Sequence, residues 1–146
     1  MKFRYPFQKV LDVKAKEKKN TESMLAQALA EVVKAEQALA QLEAERARTL
    51  ARVNEEAQRG QKMAELIAGQ EYVRCLDGAI RQTAFRLSEA ERRAEEIRAL
   101  LLERTVEEKV WLKAREKAFE DFKVQESRIH QHELDEIATN RSRIVQ

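Results

Sequence analysis

The residues that could do chemistry in this chain are few, and their spacing does not assemble a catalytic site. The two histidines, His130 and His132, would point about 200° apart on a helix, so they could not hold one metal ion between them. The single cysteine, Cys75, is interpreted as a small, half-buried apolar residue and not as a reactive thiol. The glycines are too widely spaced for a phosphate-binding loop. We therefore expect no enzyme activity, no bound metal and no cofactor.

The elements that would position any site are predicted to be long helices. One proline and three glycines in 146 residues leave too few turn residues for a sheet protein, and residues 7–59 and 79–146 contain neither type. Charged residues make up 37% of the chain. A composition dominated by Ala, Glu, Lys, Leu and Arg is typical of a coiled coil.

Charge and hydropathy exclude several classes of function. Twenty-eight cations against 26 anions give a net charge of +2, which is too balanced for a dedicated nucleic-acid binder. No run of 18 apolar residues is present, and the first residues lack the apolar core of a signal peptide. A single cysteine does not indicate an oxidising compartment. These features predict a soluble, cytoplasmic protein.

Apolar residues recur with alternating steps of three and four, as in a seam that faces a partner helix. In the first half the seam is predicted to consist of Leu11, Ala15, Lys18, Glu22, Leu25, Leu29, Val32, Glu36, Leu39, Glu43, Arg46, Leu50, Val53 and Ala57. In the second half it is predicted to consist of Val73, Leu76, Ile80, Thr83, Leu87, Ala90, Ala94, Ile97, Leu101, Arg104, Glu108 and Trp111. A weaker continuation runs through Arg115, Ala118, Phe122, Gln125 and Ile129.

The pattern predicts an all-α fold, a long two-helix antiparallel coiled-coil hairpin that forms a single domain over residues 1–146. The first helix is expected over about residues 6–57 and the second over about 71–140. Residues 58–70, which contain Gly60 and Gly69, are expected to be the linker. Pro6 suits a first helical turn.

The register follows from pairing, because facing seam positions of an antiparallel hairpin have a constant sum of residue numbers. A sum of 126 sets Lys18 against Glu108 and Glu22 against Arg104, which matches seam charges that would otherwise be costly. A sum of 133 places Lys18 opposite Arg115, and a sum of 140 places it opposite Phe122. We therefore expect 126, in which case the second helix overhangs its partner from about residue 126 onward.

The two ends of the predicted hairpin differ in charge. Residues 1–20 carry seven cations and two anions, whereas residues 115–136 carry four cations and seven anions. Partial neutralisation of these two segments by each other explains about half of this difference in charge. The remaining basic residues, joined by Arg141 and Arg143, are expected to contact an acidic partner.

Four segments resemble the flagellar export protein FliJ family. They are residues 3–14 (FRYPFQKVLDVK), 72–76 (YVRCL), 116–122 (EKAFEDF) and 133–138 (ELDEIA). The resemblance implies an antiparallel coiled coil similar to the gamma stalk subunit of rotary ATP synthases. It also implies a non-catalytic role at the cytoplasmic base of the flagellum, in type III protein export. The implied partners are the hexameric export ATPase, the cytoplasmic domain of the transmembrane export gate, and export chaperones.

The resemblance also implies two contact sites. The ATPase-ring contact is expected to comprise Phe3, Arg4, Lys9, Leu11, Leu134, Asp135, Glu136 and Arg141. The export-gate contact is expected to comprise Leu42, Tyr72, Leu76 and Ala79. The chain departs from the family's gate pattern at Ala38, Glu45 and Thr49, where aromatic or amide side chains are expected. Seam packing is an alternative role for Leu42 and the favoured role for Leu76.

Three functions are candidates for a chain with these features. The first is a stalk for an ATPase ring, and the second is a chaperone-escort factor or the equivalent stalk of an injectisome. The third is a basic hairpin that binds nucleic acid or a membrane surface through residues 1–20. Steep salt dependence would accompany the third, but the balanced charge argues against it.

Overall fold

The computed structural model describes residues 2–145, and the two long elements in that range are both helices. Helix α1 spans Gln8–Gln58 and helix α2 spans Met63–Val145. The part of the chain that is described contains no strand. The predicted all-α hairpin is therefore confirmed.

The helices contribute to two compact units, which we name by what they contain. The terminal unit comprises the described residues up to Asn20 together with those from Leu102 onward. The turn unit comprises Thr21–Leu101. Within each unit, contacts that move forward along α1 move backward along α2, so the two helices are antiparallel there.

The connection between the helices is much shorter than the expected linker. Helix α1 ends at Gln58, and Gly60 has a φ of 74°, a left-handed conformation that favours glycine. The Gln61 N–H donates to the Glu56 carbonyl (3.0 Å) and the Gly60 N–H donates to the Ala57 carbonyl (3.3 Å). This pair of bonds is a Schellman cap.

The expectation that residues 58–70 form a linker is therefore wrong. Helix α2 begins at Met63, eight residues earlier than predicted, so Gly69 lies inside the helix. Its role is close packing, since a β-carbon there would come within 2.5 Å of Val53 Cγ2. Helix α1 begins at Gln8 and not at Pro6, because the Gln8 N–H donates to the Tyr5 carbonyl (3.1 Å) in a turn that precedes the helix.

The core of the turn unit follows the predicted seam of α2 but only half of the predicted seam of α1. Every predicted α2 position from Val73 to Leu101 is buried or half-buried. On α1, however, Ala28 is buried against Ala94 and Ile97, whereas Leu29 is exposed. The alternate α1 positions therefore face the partner one residue earlier than expected, and at Ala28 the inward residue is a small one.

The same correction applies to the other alternate positions of α1 except Leu50, which is half-buried. Ala15, Glu22, Glu36, Glu43 and Ala57 are exposed, contrary to expectation. The positions one residue earlier are buried or half-buried, and they are Lys14, Thr21, Ala35, Leu42 and Glu56. Cys75 is also exposed and not half-buried. It lies between the seam residues Val73 and Leu76 but does not itself face the seam.

Most contacts between the helices give a sum slightly below the predicted 126, because Ala28 and Ala94 sum to 122, Arg46 and Asp77 to 123, and Lys14 and Glu107 to 121. In the terminal unit Lys18 Nζ lies 3.5 Å from Glu108 Oε1, as a sum of 126 predicts. The predicted pairing of Glu22 with Arg104 is wrong, since Glu22 is exposed and Arg104 Nη1 lies 3.3 Å from Glu17 Oε2. The shift has the same origin as the seam correction, because the inward positions of α1 are one residue earlier.

Candidate functional site

The N-terminal residues 2–7 are not helical, and we call them the strap because they lie across α2 in the terminal unit. The ring of Phe3 lies 5.1 Å from that of Phe119, edge to face, and 5.5 Å from that of Phe122. The ring of Phe7 lies 5.7 Å from that of Trp111. Aromatic pairs of this kind each contribute about 0.5–1.5 kcal/mol beyond the burial of their area. The strap is therefore held against α2 by its rings.

Six of the eight aromatic residues of the chain belong to this cluster. They are Phe3, Tyr5, Phe7, Trp111, Phe119 and Phe122. From the sequence, Phe3 was expected only to contact a partner. The signal that could have revealed the cluster was the concentration of aromatic residues in residues 3–7 and 111–122, in a chain that contains only 5% of them.

Two cations hold the rings of this cluster from α2. The Arg115 guanidinium carbon lies 5.8 Å from the centre of the Phe3 ring, and Lys123 Nζ lies 4.7 Å from the centre of the Phe119 ring. Arg115 Nε also donates to Gln8 Oε1 at 3.0 Å. Arg115 therefore joins the strap to the beginning of α1.

Further along α1 from the strap, the seam of the terminal unit is polar and contains ion pairs between the helices. Lys14 Nζ donates to Glu107 Oε2 at 3.2 Å, and Arg104 Nη1 lies 3.4 Å from the same oxygen. The hydrogen bond from Lys14 is the largest cause that holds the pKa of Glu107 below its ordinary value. Partial desolvation acts in the opposite direction, and the charges of Lys14 and Arg104 add to the lowering.

The N-terminal residues predicted to contact an ATPase ring divide into two groups. Leu11 is buried and Phe3 is half-buried, so both pack within the terminal unit. Arg4 and Lys9 are exposed. Of this group, only the two cations are exposed enough to meet a partner directly.

The C-terminal residues predicted for the same contact are all exposed on α2. Leu134 keeps 47% of its surface exposed, and Arg141 is also exposed. Asp135 Oδ1 accepts a hydrogen bond from Gln131 (3.1 Å), and Glu136 lies 3.4 Å from His132 Nε2. Leu134 lies about 18 Å along the helix from Phe122, at 1.5 Å per residue. The N-terminal and C-terminal groups thus belong to one unit but not to one patch.

Helix α2 remains exposed over its last 23 described residues, 123–145. The expected overhang from about residue 126 agrees with this. The exposed apolar side chains of this segment are Val124, Ile129, Leu134, Ile137, Ile144 and Val145. A solvated helix with this many apolar side chains is suited to docking.

The residues predicted to contact an export gate lie in the turn unit and differ in accessibility. Leu76 is buried in the core, as its favoured alternative role predicted, and Leu42 and Ala79 are half-buried. Tyr72 is 44% exposed, and its hydroxyl donates to Glu45 Oε1 at 3.4 Å. The hydrogen bond from Arg48, at 2.7 Å, is the main cause that lowers the pKa of Glu45. Tyr72 is therefore the most accessible of the four residues predicted for this surface.

No helix within residues 2–145 is long and apolar enough to cross a membrane. Within the same residues, no group of three or more His, Cys, Asp or Glu side chains is arranged to hold a metal ion.

Comparison with known proteins gives one match. The family model described as the flagellar FliJ protein matches residues 2–144. No curated protein and no solved structure matches the chain significantly.

Proposed function

Because the chain belongs to the FliJ family of flagellar proteins and is thereby a component of the flagellar export apparatus, we propose that it acts there as a non-catalytic stalk. In this role it promotes the assembly and activity of the hexameric export ATPase ring and links that ring to the export gate. Its place is at the cytoplasmic base of the flagellum, where it reaches the membrane only through its partners.

The observation that carries this proposal is the exposed end of α2. Residues 123–145 form a continuous helix of about 34 Å that is exposed throughout. A single helix is about 10–12 Å wide with its side chains, which is narrow enough to enter the pore of a protein ring. Its apolar side chains supply contacts once it is inside.

Charge in the terminal unit supports the same role. Arg4, Lys9, Arg141 and Arg143 are all exposed. Exposed cations accelerate encounter with an acidic surface, whereas apolar contacts determine how long the complex lasts. This division fits a stalk end that must first find a pore and then remain in it.

The link to the export gate is proposed to use Tyr72, with Leu42 and Ala79 at its margin. Tyr72 presents a ring of which nearly half is exposed, and its hydroxyl is oriented by Glu45. Aromatic side chains of this kind often anchor interfaces. The alternatives from the same protein class are an export-chaperone escort factor and an injectisome stalk, which differ from the proposal in partner.

The test is ATP hydrolysis by the purified flagellar export ATPase of the same organism, titrated with the full chain or with a chain truncated after Ile129. We expect the full chain to stimulate hydrolysis and the truncated chain to lose that effect. Circular dichroism should still show a cooperative helical core, because the removed residues are exposed. A truncated chain that stimulates equally would exclude the stalk mechanism and favour the chaperone-escort alternative.

A further inference from the structure

A groove runs between α1 and α2 in the turn unit. It consists of two adjoining depressions of about 530 and 320 Å³, whose walls share Glu31 and Ala90. Met24, which is 43% exposed, lines the larger of the two. The alanines that line the groove are Ala28, Ala30, Ala35, Ala38 and Ala90. Because these side chains are small, the groove has room for larger apolar side chains from another segment.

The rim of this groove carries more positive than negative charge. Among the described residues that line it, Lys34, Arg86 and Arg93 are cations and Glu31 is the one anion. None of the three cations makes an ion pair or a side-chain hydrogen bond within residues 2–145. Arg86 and Arg93 are seven residues apart, about 10.5 Å along α2 at 1.5 Å per residue. A segment with two anions at that spacing would meet both arginines.

The exposed end of α2 has a face with this pattern. Ile129, Glu133 and Ile137 follow one another at steps of four, and Glu126 stands three residues before Ile129, so all four lie on one side of the helix. Ile129 is 45% exposed and Ile137 is 56% exposed. Neither Glu126 nor Glu133 makes an ion pair or a side-chain hydrogen bond in the described part of the chain. Their separation of seven residues equals that of the two groove arginines.

We propose that the end of α2 from one copy of the chain binds in the turn-unit groove of a second copy. Ile129 and Ile137 enter the groove, and Glu126 and Glu133 pair with the two arginines on its rim. Residues 63–145 form one unbroken helix, and a helix cannot pack against itself, so the occupant comes from a second copy. This self-association goes beyond the stalk function and does not depend on it.

Charge selects this pairing over contact between two ends of α2. Residues 126–140 contain four anions and one cation, Arg128. Arg128 lies about 200° around the helix from Glu126, at 100° per residue, and so faces away from the groove. Two such acidic ends repel each other, whereas an acidic end and a basic rim attract and orient each other. Both surfaces are exposed in the same chain, so every solution of the protein contains them at equal concentration.

The first experiment is sedimentation velocity of the full chain from about 1 μM to 1 mM, a range that covers weak interfaces. Reductant is present, because Cys75 is exposed. We expect wild type to associate as its concentration rises. The groove variant (Arg86→Glu with Arg93→Glu) and the helix variant (Glu126→Arg with Glu133→Arg) should each associate at least about tenfold more weakly, since attractive pairs become repulsive. A wild-type chain that stays monomeric, or a variant that associates as wild type does, would overturn the proposal.

The matched control is Arg74→Glu with Arg81→Glu. These two arginines are also exposed on α2 and seven residues apart, but neither lines the groove. Arg81 lies about 140° around α2 from Arg86, at 100° per residue. We expect the control to associate as wild type does. A control that weakens association as much as the groove variant would show that net charge, and not the groove, governs association.

The second experiment mixes the groove variant and the helix variant in equal amounts. Each variant alone has a groove and a helix end of the same charge. In the mixture, the acidic groove of one meets the basic end of the other, and the unchanged groove meets the unchanged end. We therefore expect the mixture to recover wild-type association, a result that misfolded variants could not give. A mixture that associates no better than the separate variants would contradict the proposal.

Discussion

Gly69 of α2 lies directly against Val53 of α1 in the turn unit, so close that a β-carbon on Gly69 would come within 2.5 Å of Val53 Cγ2. Val53 is buried, with 7% of its surface exposed, and Gly69 is buried as well. The last buried layer before the turn therefore depends on a missing side chain. Gly78 differs, because a β-carbon there would meet nothing within 4 Å.

These two glycines make a matched pair of substitutions. Gly78→Ala should raise the free energy of unfolding by about 0.5–1 kcal/mol, because alanine favours the helix. Gly69→Ala gains the same helix propensity but must displace Val53, and overpacking of a core costs about 1–3 kcal/mol. We therefore expect Gly69→Ala to be less stable than Gly78→Ala in urea denaturation followed by circular dichroism. Equal stability of the two variants would show that the contact is relieved without cost.

The pairing of Ala28 with Ala94 gives a direct test of the seam. In a Cys75→Ser background, Ala28→Cys with Ala94→Cys should form an intramolecular disulfide, because both residues are buried in one cluster. The comparison pair is Leu29→Cys with Ile97→Cys, which the sum of 126 predicted to face each other. Leu29 is exposed, so this pair should crosslink slowly. Electrophoresis without reductant measures the rate of disulfide formation in both pairs. Faster crosslinking of the comparison pair would support the seam that was predicted from the sequence.

The sequence predicted both helices, the seam of α2 from Val73 to Trp111 and the exposed end of α2, because periodicity and the scarcity of glycine and proline carry that information. The predicted continuation of the seam is exposed at Arg115, Gln125 and Ile129. The sequence predicted only about half of the α1 residues that face inward. A search for large apolar side chains selects Leu29, whereas the residue buried with Ala94 and Ile97 is Ala28. It also placed Gly69 in a linker, since a glycine that opens a turn and one that admits a neighbouring side chain look the same in a sequence.

The candidate site was predicted only in part, for a related reason. The exposure of Arg4, Lys9 and Leu134 agrees with contact with a partner. The contact of Phe3 with Phe119 depends on how the residues before α1 fold back on α2, which no local pattern encodes. The roles of these residues in binding stay predictions.

Acid should weaken the terminal unit through Glu107. Its pKa is lowered in the folded chain, chiefly by the hydrogen bond from Lys14. The stabilisation from the ionised form is therefore present above the ordinary glutamate pKa, roughly 4.3, and is lost as the pH falls through the lower folded value. Glu107→Gln should be less stable than wild type at pH 7, and the difference should shrink below about pH 4.

Thermal unfolding of both proteins from pH 7 to pH 3, followed by circular dichroism, measures this difference. The matched control is Glu103→Gln, one turn earlier on α2 and exposed, which should show a smaller difference at pH 7. A difference between Glu107→Gln and wild type that stays constant down to pH 3 would contradict the assignment.

If the chain binds the export ATPase as proposed, reversal of charge in the strap and at the beginning of α1 should weaken that binding mainly at low salt. Lys2, Arg4 and Lys9 are exposed, so replacing all three by Glu should leave the circular dichroism spectrum unchanged. The association rate should fall, because exposed charges act on encounter, and the effect should shrink above about 0.5 M salt, where the Debye length is only a few ångströms. Surface plasmon resonance with immobilised ATPase at two salt concentrations measures both rates. The matched control reverses three exposed cations of the turn unit, Lys34, Arg81 and Arg86. If the control slows association as much as the variant does, the net charge of the chain and not its terminal unit governs encounter.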